Sequence, residues 1–428
     1  DEWSSSTVPK LTSKLVLAGR DKQVESVQTF LKSSSLTITL QATTIKESIA
    51  FLAAIINTLP EEERKFYLSR SIVVSDSEAF QHISTTYKNN LLLIPEFEEI
   101  EGLSLAAQKG HSVYIPVGPD NSVTSSEVVL PRLGRDAFIS AVEEMGLSNE
   151  DAQKYSQNTG RSLTVLRRQL TSANNQPEWA KANSVRDIIP ALLVSRWNES
   201  YEGDKEIMGQ IARDSYDSFS MKLHPWLYQP DSPVLKIGDL WRLVSAMDAF
   251  FALAKFITFI DLQNLKDITL KVLKSLDPAL DLKPEQRCMA AVYGKIPLYS
   301  SDLRKGIIQT LILIAYFGSD AKIQLSTPPQ TWVDNVIREL LQDANCNLWN
   351  SLSDVLPLIA EASPMSFMSA VKSSLSQDKK PIMCLFEEIQ GITGPSSNHS
   401  SLLWALESLA WSPKWLSYVT PILGKLAE

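Results

Sequence analysis

The residues of this chain that could handle a phosphate group lie in a turn between a strand and a helix. Residues 36–40 are apolar and β-branched and indicate a buried strand, and residues 45–59 have the apolar density of a helix. Phosphate-binding loops lie in the turn of a strand-turn-helix of this kind. In such a loop a lysine reaches the phosphate oxygens and a hydroxyl holds the metal. Lys46 and Ser48 are the residues of those types here.

The turn departs from the phosphate-binding pattern because it has no glycine. It reads QATTIKES from Gln41 to Ser48, where the motif requires two glycines, the second followed by Lys and then Ser or Thr. Glycines let successive backbone N–H groups curl around phosphates. Glu47 separates Lys46 from Ser48 and would repel a phosphate. We expect phosphate chemistry to be lost or sharply weakened, although a helix start still attracts anions and leaves weak nucleotide binding open.

Other candidate catalytic or metal-binding residues are sparse. Glu96 follows an apolar strand at 91–94 and could approach a metal, but Pro95 intervenes and a solvated acidic loop is the alternative. The four histidines and three cysteines lack metal-ligand spacing. The odd cysteine count without a CxxC pair argues against a disulfide framework and fits a reducing cytoplasm. No metal and no catalytic residue is predicted.

Composition limits the classes of partner. The formal net charge of −8 argues against a dominant nucleic-acid-binding surface, and no stretch approaches the ~20 apolar residues of a membrane span. We therefore expect no membrane partner, and we do not expect a nucleic-acid partner.

The elements that would position the turn alternate between strands and helices. Further short strands are predicted at 71–74, 90–95 and 111–116, which indicates a parallel sheet. From 136 to 170 the pattern is helical, with Ser148 as an N-cap. Three helices and a hairpin around Gly238-Asp239 follow, in the order of a winged helix.

The C-terminal part is predicted to be a series of helical hairpins. Ser363-Pro364 and Ser412-Pro413 each open a second helix after a Leu-Ala helix, and the two prolines are 49 residues apart. The last hairpin lacks an evident polar cap, so we expect the native protein to continue. The tryptophans of this part should mostly pack in the core, and a few could anchor a partner: Trp332, Trp349, Trp404, Trp411 and Trp415.

The segment Leu17-Ala18-Gly19-Arg20-Asp21 resembles the opening "Gly-Arg-Glu" box of the STAND class (signal transduction ATPases with numerous domains), and the predicted modules follow that class's order. In its general character the chain also resembles bacterial antiphage defence proteins of this class. The resemblance implies that Gly19 and Arg20, with Lys46 and Ser48, face any bound ATP or ADP. The alternative for Arg20 is a capping or salt-bridging residue at a helix start.

The predicted fold is multidomain α/β plus mostly α. In chain order it consists of a linker (1–14), a degenerate P-loop-like parallel α/β domain (15–134), a helical lid (135–178), a winged helix (179–253) and HEAT/TPR-like helical repeats (254–428).

The predicted function is a cytoplasmic regulatory or sensor scaffold of a bacterial STAND-like defence protein. It would couple recognition of a protein partner, phage-derived or a fused effector, to conformational change or self-oligomerisation through a pseudo-NTPase core. No cofactor is expected, and this part of the protein is predicted not to be an enzyme. Two alternatives stay open: an active ATPase switch with an atypical phosphate loop, and a winged-helix nucleic-acid-binding protein.

Overall fold

The computed structural model describes residues 3–4, 6–33, 37–87, 90–97, 102–119, 128–171, 177–181, 184–387, 389–391 and 394–427. The fold is mixed α/β, as predicted, with a five-stranded parallel sheet and many helices. The chain divides into two compact units: unit 1 contains residues 1–182 and 224–233, and unit 2 contains residues 183–223 and 234–428.

Unit 1 is built on the parallel sheet, in the order β2-β3-β4-β1-β5. The prediction of four strands in a parallel sheet is confirmed, and the sequence missed the two-residue β5. Leu36 lies outside the described residues. The strands are β1 (Thr37–Gln41), β2 (Ser71–Val74), β3 (Leu92–Pro95), β4 (Ser112–Val117) and β5 (Val128–Val129).

The helices of unit 1 cover both faces of this sheet. Alternating residues of β3 enter two different apolar clusters, Leu92 and Ile94 in one and Leu93 in the other, so the sheet is the middle of three layers. The helices are α1 (Ser13–Leu17), α2 (Asp21–Lys32), α3 (Ile45–Thr58), α4 (Glu61–Leu68), α5 (Ser77–Thr86), α6 (Leu103–Gln108), α7 (Arg135–Glu143), α8 (Asn149–Asn158) and α9 (Leu163–Leu170).

The predicted lid and linker both contribute to the core of unit 1. Phe138 of α7 and Leu166 of α9 are buried in the same cluster as β1 and α3, and Ser148 caps α8 as predicted. Leu11, within the predicted linker 1–14, is buried in that cluster too. Residues 172–176 of the predicted lid lie outside the described residues.

The first part of unit 2 combines helices with a three-stranded antiparallel sheet in the order β6-β8-β7. The Gly238-Asp239 hairpin is confirmed, whereas the third strand of this sheet, β6, was not predicted. Helix α12 begins in unit 2 and ends in unit 1. The elements are α10 (Ile189–Val194), β6 (Arg196–Asn198), α11 (Glu202–Ala212), α12 (Tyr216–Leu227), β7 (Val234–Ile237), β8 (Leu240–Leu243), α13 (Ala246–Leu253) and α14 (Phe259–Leu273).

The rest of unit 2 contains three successive helix pairs. Helices α15, α18 and α20 pack in succession, and their pair mates α16, α19 and α21 do the same. Pro364 and Pro413 begin α19 and α21, as predicted. The elements are α15 (Ser301–Phe317), α16 (Pro329–Leu341), α17 (Cys346–Ser351), α18 (Leu356–Ala362), α19 (Pro364–Leu375), a short hairpin of β9 (Ile389–Gly391) and β10 (Gly394–Ser396), α20 (His399–Ala410) and α21 (Pro413–Ala427).

Gly306 allows α15 to approach the neighbouring backbone closely. A Cβ at this position would lie 2.3 Å from the carbonyl oxygen of Val194 and 2.8 Å from Arg196 Cγ. We expect Gly306→Ala to destabilise unit 2 by about 1–3 kcal/mol because the overpacking outweighs the better helix propensity of alanine. Chemical denaturation followed by circular dichroism measures this loss.

Gly424 in α21 is the matched control for that substitution. An added Cβ there meets nothing within 4 Å, so Gly424→Ala should leave stability unchanged or raise it by up to ~1 kcal/mol. Equal effects of the two substitutions would show that helix propensity, rather than the close approach to Val194, decides the outcome.

Candidate functional site

The carboxyl ends of β1 and β4 form the topological switch point of the sheet. The chain leaving β1 runs to β2 at one edge, past β4 and β3, whereas the chain leaving β4 runs to β5 on the opposite side of β1. In open parallel sheets, ligands bind beyond the strand ends where neighbouring connections diverge in this way. The topology therefore directs attention to the turn that follows β1, the same turn that the sequence singles out.

The turn itself has an ordinary helix cap in place of a phosphate cradle. Ala42 N donates to the Val117 carbonyl (3.0 Å), which holds the turn against the end of β4. Thr44 has extended backbone and its hydroxyl accepts from Glu47 N (3.0 Å), so it is the N-cap of α3. One of the N–H groups that a phosphate would use is therefore satisfied by the protein.

A buried ion pair fills the start of α3. Arg20 and Glu47 have side chains only 3% and 2% exposed, and Arg20 Nη2 donates to Glu47 Oε1 at 2.8 Å. The other carboxylate oxygen of Glu47 accepts from the Thr43 hydroxyl. Arg20 also donates to the carbonyls of Val16 (3.1 Å, Nη1) and Pro131 (3.1 Å, Nε). Both charges are thus compensated inside the protein, as a buried pair requires.

Ser48 is committed to the core. It is fully buried, and its hydroxyl donates to the Leu40 carbonyl (3.2 Å) while lying 3.0 Å from the Tyr114 hydroxyl. Tyr114 Oη in turn donates to the Ser48 carbonyl (2.9 Å), and burial raises the pKa of Tyr114 despite the hydrogen bond with Ser48. In this arrangement Ser48 joins α3 to β4.

The remaining two predicted site residues differ from each other. Lys46 is exposed at the first turn of α3. Gly19 has φ +66° between α1 and α2, and an added Cβ would lie 3.3 Å from Ala137 Cβ, so the residue serves the turn that directs Arg20 inward. Of the four candidates, Arg20 is the one whose side chain forms an ion pair at the switch point, and its partner is Glu47.

Residues far along the chain also reach the turn, and sequence reasoning missed them. Asp231 N donates to the Thr43 carbonyl (3.0 Å), and the Asp231 carboxylate pairs with Arg168 of α9. Asp231 belongs to the segment 224–233 of unit 1, which contains the end of α12 and the residues after it. No local sequence pattern predicts these contacts, because Asp231 is remote from both Thr43 and Arg168 in the sequence. The turn after β1 is therefore in contact with this segment, and Asp231 links the segment to α9.

A second candidate site lies among the helix pairs of unit 2. A cavity of about 600 Å³ is lined by α16, α17 and α19, and a neighbouring cavity of about 700 Å³ also reaches α15, α18, α20 and α21. Asp334 and Met365 line both cavities, so the two are contiguous and we refer to them together as the helix-pair groove.

Two features of the helix-pair groove are suited to binding. Trp349 lines its first part, is fully buried, and its Nε1 has no hydrogen-bond partner among the described residues. Buried N–H donors without a hydrogen-bond partner are rare in folded proteins. Exposed Tyr316 and Met365 line the second part together with Glu361, whose carboxyl pKa is raised by burial. Of the predicted anchors, Trp415 also lines this part, whereas Trp404 and Trp411 are exposed outside it.

Neither a scan against protein-family models nor a search of curated proteins finds a match to this chain. Within the described ranges, no helix is long and apolar enough to cross a bilayer. The described residues also contain no group of three His, Cys, Asp or Glu that could hold a metal ion.

Proposed function

We propose that this chain is a regulatory or sensor scaffold of a STAND-like defence protein, in which the α/β core is a pseudo-NTPase. The observation that carries the proposal is the buried Arg20–Glu47 pair, which lies where the strand-turn-helix would otherwise expose its N–H groups to phosphate. A carboxylate at that place repels a phosphate electrostatically, and removing it from Arg20 would leave a buried cation uncompensated.

The proposal also assigns the helix pairs to recognition of a protein partner. The helix-pair groove supplies side chains of the types enriched at interfaces, namely exposed Tyr316 and Met365 together with Trp415. Coupling would reach the core through the segment 224–233, because Asp231 contacts the turn after β1. The response would be a conformational change or self-oligomerisation in the cytoplasm, and the protein partner would be phage-derived or a fused effector domain.

Nucleotide titration tests the pseudo-NTPase part. We expect isothermal calorimetry with ATP or ADP and Mg²⁺ to show no saturable binding at micromolar nucleotide, because Glu47 N is already capped by Thr44 and the Glu47 carboxylate repels phosphate. Tight binding that is lost in Lys46→Ala would overturn the proposal. It would favour the active ATPase switch, for which the exposed Lys46 at the first turn of α3 is the supporting observation, and turnover sensitive to Glu96→Gln would establish that switch.

A peptide-display selection on the full chain tests the assignment of the helix-pair groove. Selected peptides should bind with at least tenfold lower affinity to Met365→Asp, since the introduced charge lies within the shared part of the groove. Met221→Asp is the matched control, because Met221 is 69% exposed on α12 and does not line either cavity. Equal losses in the two variants would place the binding surface elsewhere.

The nucleic-acid alternative is not adopted. Helix α12, which would be the recognition helix of a winged helix, offers Lys222, and its ammonium is paired with the Asp214 carboxylate at 2.7 Å. A helix that binds the phosphate backbone of a nucleic acid requires several Lys or Arg side chains that are not already paired.

A further inference from the structure

Two cysteine thiols converge in unit 2 although the sequence shows no paired spacing. Cys346 is the first residue of α17, and Cys384 lies in the 3₁₀ turn Pro381–Phe386, which packs against α17. The Cys384 thiol donates to the Cys346 carbonyl at 3.3 Å. Both are free thiols, half-buried and buried respectively, whereas Cys288 is exposed.

One side-chain amide contacts both sulfur atoms. Asn350 Nδ2 lies 3.1 Å from Cys384 Sγ and 3.6 Å from Cys346 Sγ, and the Asn350 carbonyl oxygen accepts from Asn398 Nδ2 at 3.0 Å. The two thiols therefore share a polar contact whose side-chain amide is itself oriented by Asn398, the residue before α20. Because one amide nitrogen contacts both sulfur atoms, the two thiols lie close together.

We propose that Cys346 and Cys384 form a redox modification site, which a hydroperoxide oxidises to a disulfide. The Cys346 thiolate attacks a peroxide oxygen, the O–O bond breaks, and Cys346 becomes a sulfenic acid with release of water or an alcohol. The Cys384 sulfur then attacks the sulfenic sulfur, the S–O bond breaks, and the departing hydroxide leaves as water with the Cys384 proton. Two thiols lose two electrons, and the peroxide gains them.

The order of the two steps follows from the surroundings of each thiol. Burial, followed by the neighbouring Cys346 thiol, raises the pKa of Cys384, which makes this sulfur a poor first nucleophile. Cys346 is the more accessible of the two, so it meets the peroxide first. The resulting bond would close a loop containing α18 and α19, both of which line the helix-pair groove. The inference does not depend on the proposed function.

Peroxide treatment of the reduced full chain tests the site. After hydrogen peroxide treatment, denaturation and alkylation with N-ethylmaleimide, we expect one alkylated cysteine, Cys288, and an intact mass lower by two hydrogens before alkylation. Peptide mapping should recover a 346–384 crosslink that dithiothreitol removes, and the thermal midpoint of the oxidised protein should rise by roughly 2–4 °C. Alkylation of both Cys346 and Cys384 after treatment, or crosslinks formed through Cys288 alone, would overturn the proposal.

Two single substitutions sharpen this test. Cys288→Ser should form the same crosslink, because Cys288 takes no part in the pair. Cys346→Ser should leave Cys384 fully alkylated after peroxide. Should Cys346→Ser fail to fold, the peptide map of the wild-type chain decides the matter by itself, since it identifies directly which sulfurs are joined.

Discussion

Replacing Glu47 with alanine is expected to destabilise unit 1 by about 3–5 kcal/mol. The substitution leaves the Arg20 guanidinium 3% exposed and without its counter-charge, with hydrogen bonds to the carbonyls of Val16 and Pro131. It also removes the acceptor of the Thr43 hydroxyl. Urea unfolding followed by tryptophan fluorescence and circular dichroism measures the loss.

Two comparisons separate the buried charge from other effects of the Glu47 substitution. Lys46→Ala changes the exposed neighbour and should alter stability by less than about 0.5 kcal/mol. The double variant Arg20→Met, Glu47→Leu should recover most of the stability, because replacing a whole buried pair with apolar side chains is often neutral. A mild Glu47→Ala phenotype accompanied by new ATP binding would instead identify Glu47 as a removable block on a competent site.

The second large effect is expected at Asp204 of α11. This carboxylate is fully buried and accepts from Asn198 N (2.9 Å), Ser300 N (2.8 Å) and Ser300 Oγ (2.5 Å). Ser300 is the N-cap of α15, so Asp204 joins α11, β6 and α15. Asp204→Ala should cost about 3 kcal/mol because two backbone N–H groups lose their acceptor. Differential scanning calorimetry of the full chain should show the loss in the transition of unit 2.

Asp204→Asn and Glu206→Ala complete that experiment. The amide of asparagine can satisfy some of the donors but must turn an N–H toward another, so an intermediate loss of about 1–2 kcal/mol is expected. Glu206 lies on the same helix in an exposed ion pair with Lys271, and its removal should cost less than about 1 kcal/mol. Similar losses at Asp204 and Glu206 would contradict the special role of the buried carboxylate.

The sheet of unit 1 was predictable because its signals are local. Short β-branched runs alternate with amphipathic helices, and chain order then favours parallel pairing. The N-cap at Ser148 and the Gly238-Asp239 hairpin were predictable for the same reason, since each depends on two to four adjacent residues. Strand β6 was missed because its three residues pair only with a strand more than forty positions later.

The candidate site was predictable only in part. From the sequence, the absence of glycines and the presence of Glu47 lead to the prediction that phosphate binding is impaired. That Arg20 is the partner of Glu47 could not be read from a separation of 27 residues, although a salt-bridging role for Arg20 was one of the two alternatives. Tyr114 and Asp231 carry no local signal, because their contacts with Ser48 and Thr43 arise from the pairing of distant segments.

Helix α15 gives unit 2 a mechanical property of its own. The helix has 17 residues, about 25 Å of continuous rod, and it packs on α10 and β6 as well as on α16 and α18. Gly306 removes the side chain at the crossing with Val194, so the backbones touch there without a compressible layer between them. A force on the helix pairs α18–α19 and α20–α21 would therefore displace α15 as a rigid body against the three-stranded sheet, with little rearrangement of side chains.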